Sequence, residues 1–158
     1  MGGFFGVVSK QDCVPDLFFG TDYHSHLGTM RGGLAVLEGQ DFHRAIHDIS
    51  NAQFRTKFEN DFKRFKGRCG IGVISDNEDQ PLVIASHHGV FAIVTVGVIT
   101  NAGQLVRELF ALRSAQFSEM SRGGINPTEL VAMLINSQKT IEAGVRYAQE
   151  KIEGSCSM

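Results

Sequence analysis

The chain opens with residues 1–8, MGGFFGVV, an apolar run that starts almost at the amino terminus. Phenylalanine at positions 4 and 5 and valine at positions 7 and 8 favour a β-strand, because aromatic and β-branched side chains suit a pleated surface. We therefore predict a strand over residues 4–9. Almost no chain precedes this strand, and position 2 is a glycine. The early start of the strand and the glycine both need an explanation.

Other short runs rich in valine and isoleucine predict three more strands, at residues 70–75, 81–85 and 90–96. The turn His87-His88-Gly89 lies between the last two, which predicts an antiparallel hairpin with the two imidazoles exposed to solvent. The strands come in groups instead of alternating with helices. This order favours an α+β fold over a doubly wound parallel sheet.

Two helices are predicted from their apolar patterns. In residues 51–66, phenylalanines at positions 54, 58, 62 and 65 recur at helical spacing between charged residues, which predicts one amphipathic helix with a buried aromatic stripe. Asn101 followed by Gln104 resembles a capping box at the start of a second helix. Residues 15–27 carry only a partial apolar stripe, so a helix there is less strongly indicated.

Two further helices are marked by their ends. Asn126 suits an N-cap, Pro127 suits the first helical position, and we expect Glu129 to reach back to the cap amide. The last helix is predicted to begin near Thr140 and to stop at Gly154.

The bulk composition is that of an ordinary soluble protein. The chain has 158 residues, 42% of them hydrophobic, and a formal net charge of −2. This length fits a single domain over residues 1–158, and the charge offers no basic surface for nucleic acid or an anionic membrane. The three cysteines match neither a disulfide framework nor a zinc site, and no apolar run approaches the ~20 residues of a membrane span. We expect a cytoplasmic protein without nucleic-acid or membrane partners.

Five segments, taken in order, resemble the N-terminal glutaminase domain of amidophosphoribosyltransferase, a class II glutamine amidotransferase with the N-terminal nucleophile (Ntn) hydrolase fold. They are MGGFFGVV, FFGTDYHSHLGTMRGGLAV, GIGVIS, FAIVTVGVITNAGQL and INPTELVAMLI, and the terminal EGSCSM is similar to a later strand of that family. The resemblance implies a four-layer αββα sandwich of antiparallel sheets and no cofactor. It also implies a domain that continues past residue 158, so we expect residues 155–158 to form a buried strand and a truncated chain to associate into a homo-oligomer.

The resemblance explains why a strand lies so early in the chain, but it does not explain the glycine at position 2. In that family the mature chain begins with a cysteine, whose thiolate attacks the side-chain amide of glutamine while its own α-amine moves the proton. Gly2 stands at that position and has no thiol. Cys13 and Cys69 are poor substitutes, because neither carries a free α-amine.

The family's other site residues fall on positions that have also changed. The oxyanion asparagine falls on Val96, beside Gly97, whose backbone amide remains. The arginine that pairs with the α-carboxylate of glutamine falls on Ser75, and the aspartate that holds its α-amino group falls on Pro127. Losing one oxyanion donor costs about 3–4 kcal/mol of transition-state stabilisation, so the resemblance predicts little glutamine hydrolysis.

Two remaining positions belong to the motif around residues 24–29. The resemblance assigns His26 and Gly28 to the substrate-binding region. His24 and His26 form an HxH pair that would place both rings on one side of a strand, but no third ligand stands at a suitable spacing, which disfavours a metal site.

Three interpretations of the whole chain stay open. The first is the ammonia-supplying domain of an amidophosphoribosyltransferase-like enzyme of purine synthesis, with glutamine or a related amide as its ligand and with Gly2 introduced or tolerated. The second is a catalytically silent module that keeps the fold for structural, ligand-sensing or regulatory purposes. The third is a different Ntn hydrolase, which would require cleavage before Ser9 or Cys13.

Overall fold

The computed structural model describes residues 2–27, 30–76, 78–112, 116–121 and 123–158. In these residues the strands are β1 (Gly3–Val8), β2 (Arg31–Glu38), β3 (Asp41–Asp48), β4 (Cys69–Ser75), β5 (Leu82–Ser86), β6 (Gly89–Ile93), β7 (Val96–Ile99), β8 (Met120–Ser121), β9 (Gly124–Ile125) and β10 (Gly154–Ser157). The helices are α1 (Val14–Tyr23), α2 (Phe54–Lys57), α3 (Glu59–Arg64), α4 (Ala102–Ala111), α5 (Pro127–Asn136) and α6 (Ile141–Lys151). None of the helices in these ranges has the length and apolar content needed to cross a membrane.

The main sheet has four antiparallel strands in the order β1-β4-β2-β3. The predicted first strand is confirmed as β1, which pairs with β4 so that Gly3 lies opposite Ile74. The chain start therefore lies beside the carboxyl end of β4. Strands β2 and β3 were not predicted. Strand β2 carries the unfavourable pair Gly32-Gly33 directly after its first residue, and β3 carries mostly charged and polar residues at exposed positions.

The first hydrophobic core lies between this sheet and the helices α1 to α3. The burial of the aromatic stripe is confirmed for Phe54, Phe58 and Phe65, each at most 3% exposed. The single predicted helix is wrong, because the chain breaks at Phe58 into α2 and α3. A tertiary contact competes with the periodic pattern here, since the buried Asp61 accepts a 2.7 Å hydrogen bond from His47 on β3.

A second core contains the β5–β6 hairpin, α4, α5 and α6. The hairpin and its His87-His88 turn are confirmed, and His87 is exposed. The predicted exposure of His88 is wrong, because its ring is half-buried and its Nε2 atom is buried. The predicted strand over residues 90–96 is wrong in its length, since β6 ends at Ile93 and β7 begins at Val96. Between them, the backbone N–H of Thr95 bonds to a side chain instead of to a neighbouring strand.

The carboxyl-terminal strand differs from its predicted environment. Residues 154–157 form β10, antiparallel to β7, but Ser155 and Ser157 are exposed. The expectation of a buried strand is therefore wrong, because only the face that carries Cys156 packs against the second core.

The helix caps are confirmed in part. The Asn126 side chain accepts a hydrogen bond from the N–H of Thr128, and Thr140 caps α6, which ends at Lys151 before Gly154 begins β10. Glu129 does not return to the cap: its buried carboxylate accepts hydrogen bonds from the backbone and side chain of Ser118 and from the N–H of Glu119. The Asn101 capping box is also wrong.

Asn101 joins distant parts of the chain instead of capping α4. Its side chain donates to the carbonyl of Lys151 and accepts from the N–H of Glu153. These two bonds tie the start of α4 to the segment that leads into β10, so a contact across the fold takes the place of the local cap.

Candidate functional site

A pocket of about 570 Å³ lies where the start of β1 and the end of β4 meet the β7–β10 pair and the start of α5. Its volume is within the range of small-molecule sites. Its described lining residues are Gly2, Ser75, Asp76, Glu78, Thr95, Val96, Gly97, Val98, Ile99, Pro127, Ser155, Cys156 and Ser157. The pocket brings together predicted positions that are far apart in sequence, namely Gly2, Ser75, Val96, Gly97 and Pro127.

Gly2 enters this pocket directly before β1 and lies against the backbone of β4. A Cβ atom on Gly2 would lie 2.0 Å from the carbonyl oxygen of Ile74 and 3.3 Å from the Cα of Ser75. Backbone atoms cannot relieve such a contact by a rotamer change, as side-chain atoms can. A cysteine at position 2 therefore requires the chain start to shift.

Ser75 ends β4 and is only 4% exposed. Its hydroxyl donates a 2.6 Å hydrogen bond to the backbone carbonyl of Glu78. A serine hydroxyl has one proton to donate. That proton holds the turn after β4, so in this arrangement Ser75 offers no donor to a ligand.

The bend between β6 and β7 is held by a buried amide. The Gln80 side chain, 2% exposed, accepts a 2.7 Å hydrogen bond from the N–H of Thr95 and donates a 3.0 Å bond to the carbonyl of Thr95. The Thr95 hydroxyl is bonded in turn to the Thr128 hydroxyl on α5, at 2.7 Å. The Gln80 side chain thus makes the hydrogen bonds to the Thr95 backbone that a neighbouring strand would make in a sheet. Thr95 directly precedes Val96 and Gly97.

The α5 side of the pocket is held by its N-cap residue. Asn126 caps the helix with its oxygen and donates from its side-chain nitrogen to the carbonyl of Asp79, at 3.2 Å. Pro127 is thereby fixed against the same loop that carries Gln80.

Gly97 is required by the close pairing of β7 with β10. Its φ is 154°, and a Cβ atom there would lie 2.0 Å from the carbonyl oxygen of Ser155. Glycine is the residue that accepts both the conformation and the approach. Val96, at the predicted asparagine position, is half-buried beside it.

The histidines predicted near the site lie elsewhere. Residues 24–27 form a turn after α1 and not a strand, so the predicted one-sided HxH arrangement is wrong. His26 is exposed, does not line the pocket, and has its ring 5.6 Å from that of Tyr23. Gly28 lies outside the described residues. Across the described ranges, no group of three His, Cys, Asp or Glu side chains is placed to hold a metal ion.

The three cysteines are poorly suited to act as a nucleophile in the pocket. Cys13 and Cys69 do not line the pocket, and burial raises the pKa of the Cys13 thiol. Cys156 does line it, but it packs against the second core, and burial raises the pKa of its thiol as well. Because the thiolate is the nucleophile, a raised pKa lowers the reactivity of Cys156 near neutral pH.

Sequence reasoning missed three kinds of lining or supporting residue. Gln80 is a single amide without a pattern around it, and Cys156 belongs to a strand whose partner is distant in sequence. Asp76 and Glu78 could have been predicted as candidate site residues, since both lie in a charged loop directly after a predicted strand.

The pocket therefore lies in an α+β fold with antiparallel sheets. Gly2, the residue directly before the first strand, is one of its lining residues. This fold is Ntn-hydrolase-like, as solved structures show. Glutamine phosphoribosylpyrophosphate amidotransferase from B. subtilis, solved with ADP and GMP, matches with a TM-score of 0.81 at 21% identity, over 99% of this chain and 34% of its own. An allosteric regulatory enzyme of purine biosynthesis matches with a TM-score of 0.82 at 20% identity, again over 99% of this chain and 34% of its own.

These likenesses confirm the predicted fold class. The chain spans about a third of the length of the solved structures it matches. No protein-family model matches it, and no curated protein matches it either.

Proposed function

We propose that this chain is the glutaminase-type domain of an amidophosphoribosyltransferase-like protein of purine nucleotide synthesis, and that it does not hydrolyse glutamine efficiently. The observation that supports this most directly is the position of Gly2 at the pocket formed by β4, β7 and α5. A residue there is suitably placed to attack a bound amide, but glycine has no nucleophilic side chain.

The rest of the pocket supports low activity. The Ser75 proton is engaged by the Glu78 carbonyl, and Val96 has no hydrogen-bonding side chain to stabilise an oxyanion. Absence of a single oxyanion donor lowers a rate by about 10²–10³. The absence of the nucleophile adds to this loss, so a slow residual hydrolysis by water is the most that these groups support.

A second candidate is a silent module that binds a ligand without converting it. The volume of the pocket favours this role: about 570 Å³ of space remains beside Gly2 although no thiol is present. In this role the domain would report the presence of a ligand to the rest of a longer protein.

The test is glutamate release from glutamine by the unaltered chain, Gly2→Ala and Gly2→Cys, with intact mass used to establish removal of Met1. We expect all three proteins to remain at the buffer rate. Gly2→Ala is the matched control, because it adds the same Cβ atom against Ile74 without a thiol.

Two results would change this conclusion. Glutamate release by the unaltered chain would contradict the proposed lack of activity. Turnover by Gly2→Cys but not by Gly2→Ala would show that the thiol alone is missing, and would support the ammonia-supplying role over the silent one.

A further inference from the structure

One face of the main sheet points away from the helices. On the helix side, Gly70 of β4 packs against α1, since a Cβ atom there would lie 2.7 Å from the Leu17 side chain. Side chains alternate along a strand, so Cys69 and Ile71 lie on the opposite side of the sheet. We call this opposite side, at the end of the sheet where β1 stops and β4 begins, the outer face.

The strand register places four apolar side chains in one row across the outer face, one from each strand. Val8 pairs with Cys69, Cys69 with Leu37, and Leu37 with Phe42. Val8 is 84% exposed, and the other three are half-buried. Neither hydrophobic core of the described residues includes any of the four. An exposed apolar row with charged residues beside it is typical of a protein–protein contact.

The order of the strands makes this row complementary to itself. In the order β1-β4-β2-β3, a two-fold axis parallel to the strands and between β4 and β2 sets β1 against β3 and β4 against β2. Val8 then lies opposite Phe42 of a second copy, and Cys69 lies opposite Leu37 of that copy. Each pair combines a smaller side chain with a larger one, which suits the roughly 10 Å spacing of packed sheets.

The charges beside the row fit the same axis. Lys10 follows β1, Lys66 and Arg68 precede β4, and all three are exposed. On the other half of the sheet, Glu38 ends β2 and Asp41 begins β3, and both are exposed as well. The axis places the basic half of one copy against the acidic half of the other, which favours association between copies.

Three neighbouring charged groups modify this separation without reversing it. Asp12 lies among the basic residues, but its carboxylate accepts hydrogen bonds from two backbone N–H groups. Arg44 lies on the acidic half, one row nearer the pocket, and donates to a backbone carbonyl. The carboxylate of Glu38 lies 3.1 Å from Nε2 of His43, and both side chains remain about half exposed.

We propose that two copies of this chain associate through their outer faces about this two-fold axis. The contact lies at the opposite end of β1 from the pocket, so it goes beyond the proposed function. Strand spacing and rise give the face, from residue 4 to residue 10, a size of about 19 by 20 Å, or about 400 Å². A standard interface buries about 800 Å² on each partner, so this dimer is weak and forms at high protein concentration.

Sedimentation equilibrium of the whole chain, from micromolar to near-millimolar concentration, tests the association. The average mass should rise from that of one copy toward that of two. Val8→Asp places a charge in the apolar row and should raise the dissociation constant about tenfold or more. Val90→Asp is the matched control, because Val90 is 56% exposed on β6 and outside the outer face. It should leave the dissociation constant unchanged, and circular dichroism establishes that both variants fold.

A mixing experiment tests the axis itself. Arg68→Glu alone sets acidic residues against acidic ones, and Glu38→Arg alone sets basic residues against basic ones, so each variant should associate more weakly than the unaltered chain. An equimolar mixture pairs the new glutamate with the new arginine and the unchanged Arg68 with the unchanged Glu38. Association should therefore return on mixing. A folding defect cannot explain such a recovery, since mixing alters neither chain.

A mass of one copy at every concentration would overturn the inference. A dimer formed through another surface, such as β10, would survive Val8→Asp, and that result would overturn it too. Equal weakening by Val8→Asp and Val90→Asp, or no recovery in the mixture, would likewise count against it. None of these measurements involves glutamine, so the inference and the proposed function fail separately.

Discussion

Replacement of Gln80 by alanine tests whether one buried amide holds the bend beside the pocket. In the structure, Gln80 makes two hydrogen bonds to the backbone of Thr95, at 2.7 and 3.0 Å, and both residues are buried. Gln80→Ala leaves the N–H and the carbonyl of Thr95 without these partners. Each buried polar group left unpaired costs about 1–3 kcal/mol, so the two together predict a loss of about 2–6 kcal/mol.

A loss of this size is a large fraction of the roughly 5–15 kcal/mol by which a domain is stable. The assay is urea unfolding followed by circular dichroism, with the free energy of unfolding taken from a two-state fit. Gln104→Ala is the matched control, because Gln104 is exposed and its side chain bonds to Glu108 on the same helix. It should change the free energy by less than about 0.5 kcal/mol.

Gln80→Glu separates shape from hydrogen bonding. The carboxylate keeps the size of the side chain and still accepts from the N–H of Thr95, but when ionised it has no proton to donate to the Thr95 carbonyl. We expect this variant to be destabilised as well. If Gln80→Ala were no less stable than Gln104→Ala, the proposed role of Gln80 in holding the bend would be refuted.

Two further predictions concern β7 and β10. Gly97→Ala should cost more stability in urea than Gly89→Ala, because both glycines have positive φ but only a Cβ at residue 97 would collide with a neighbouring backbone; equal losses would contradict the close-approach argument. The rate at which Cys156 reacts with iodoacetamide should rise with pH along a curve displaced to higher pH than that of free cysteine, because burial raises the pKa of its thiol and only the thiolate reacts. Peptide mass spectrometry measures this rate, and a curve displaced to lower pH would show that the pocket activates the thiol.

Local sequence determined the elements whose signals are carried by neighbouring residues. Strand β1 follows from its aromatic and valine residues, and the start of α5 follows from Asn126 and Pro127, because a strand's composition and a helix cap act within a few residues. The β5–β6 hairpin is predictable for the same reason. The aromatic stripe predicted burial correctly but not the break at Phe58, since periodicity reports which face is apolar and not where distant contacts bend the chain.

The hydrogen-bond partners of polar side chains also could not be predicted from local sequence. Glu129 and Asn101 have sequence contexts typical of capping boxes, yet both bond to segments that local sequence does not place beside them. A hydrogen bond forms with whichever partner is near in the folded chain, and a capping motif specifies only the local one.

By itself, the sequence determined that a strand leads the chain, that an amphipathic aromatic face is buried, and that position 2 carries no nucleophilic side chain. Only the tertiary structure decided that this position meets the end of β4 and the bend before β7 around one pocket, and that Gln80 holds that bend. The physical reason is that strand pairing and buried hydrogen bonds join residues that are distant along the chain. The chemistry of the pocket therefore depends on which ones the fold brings together.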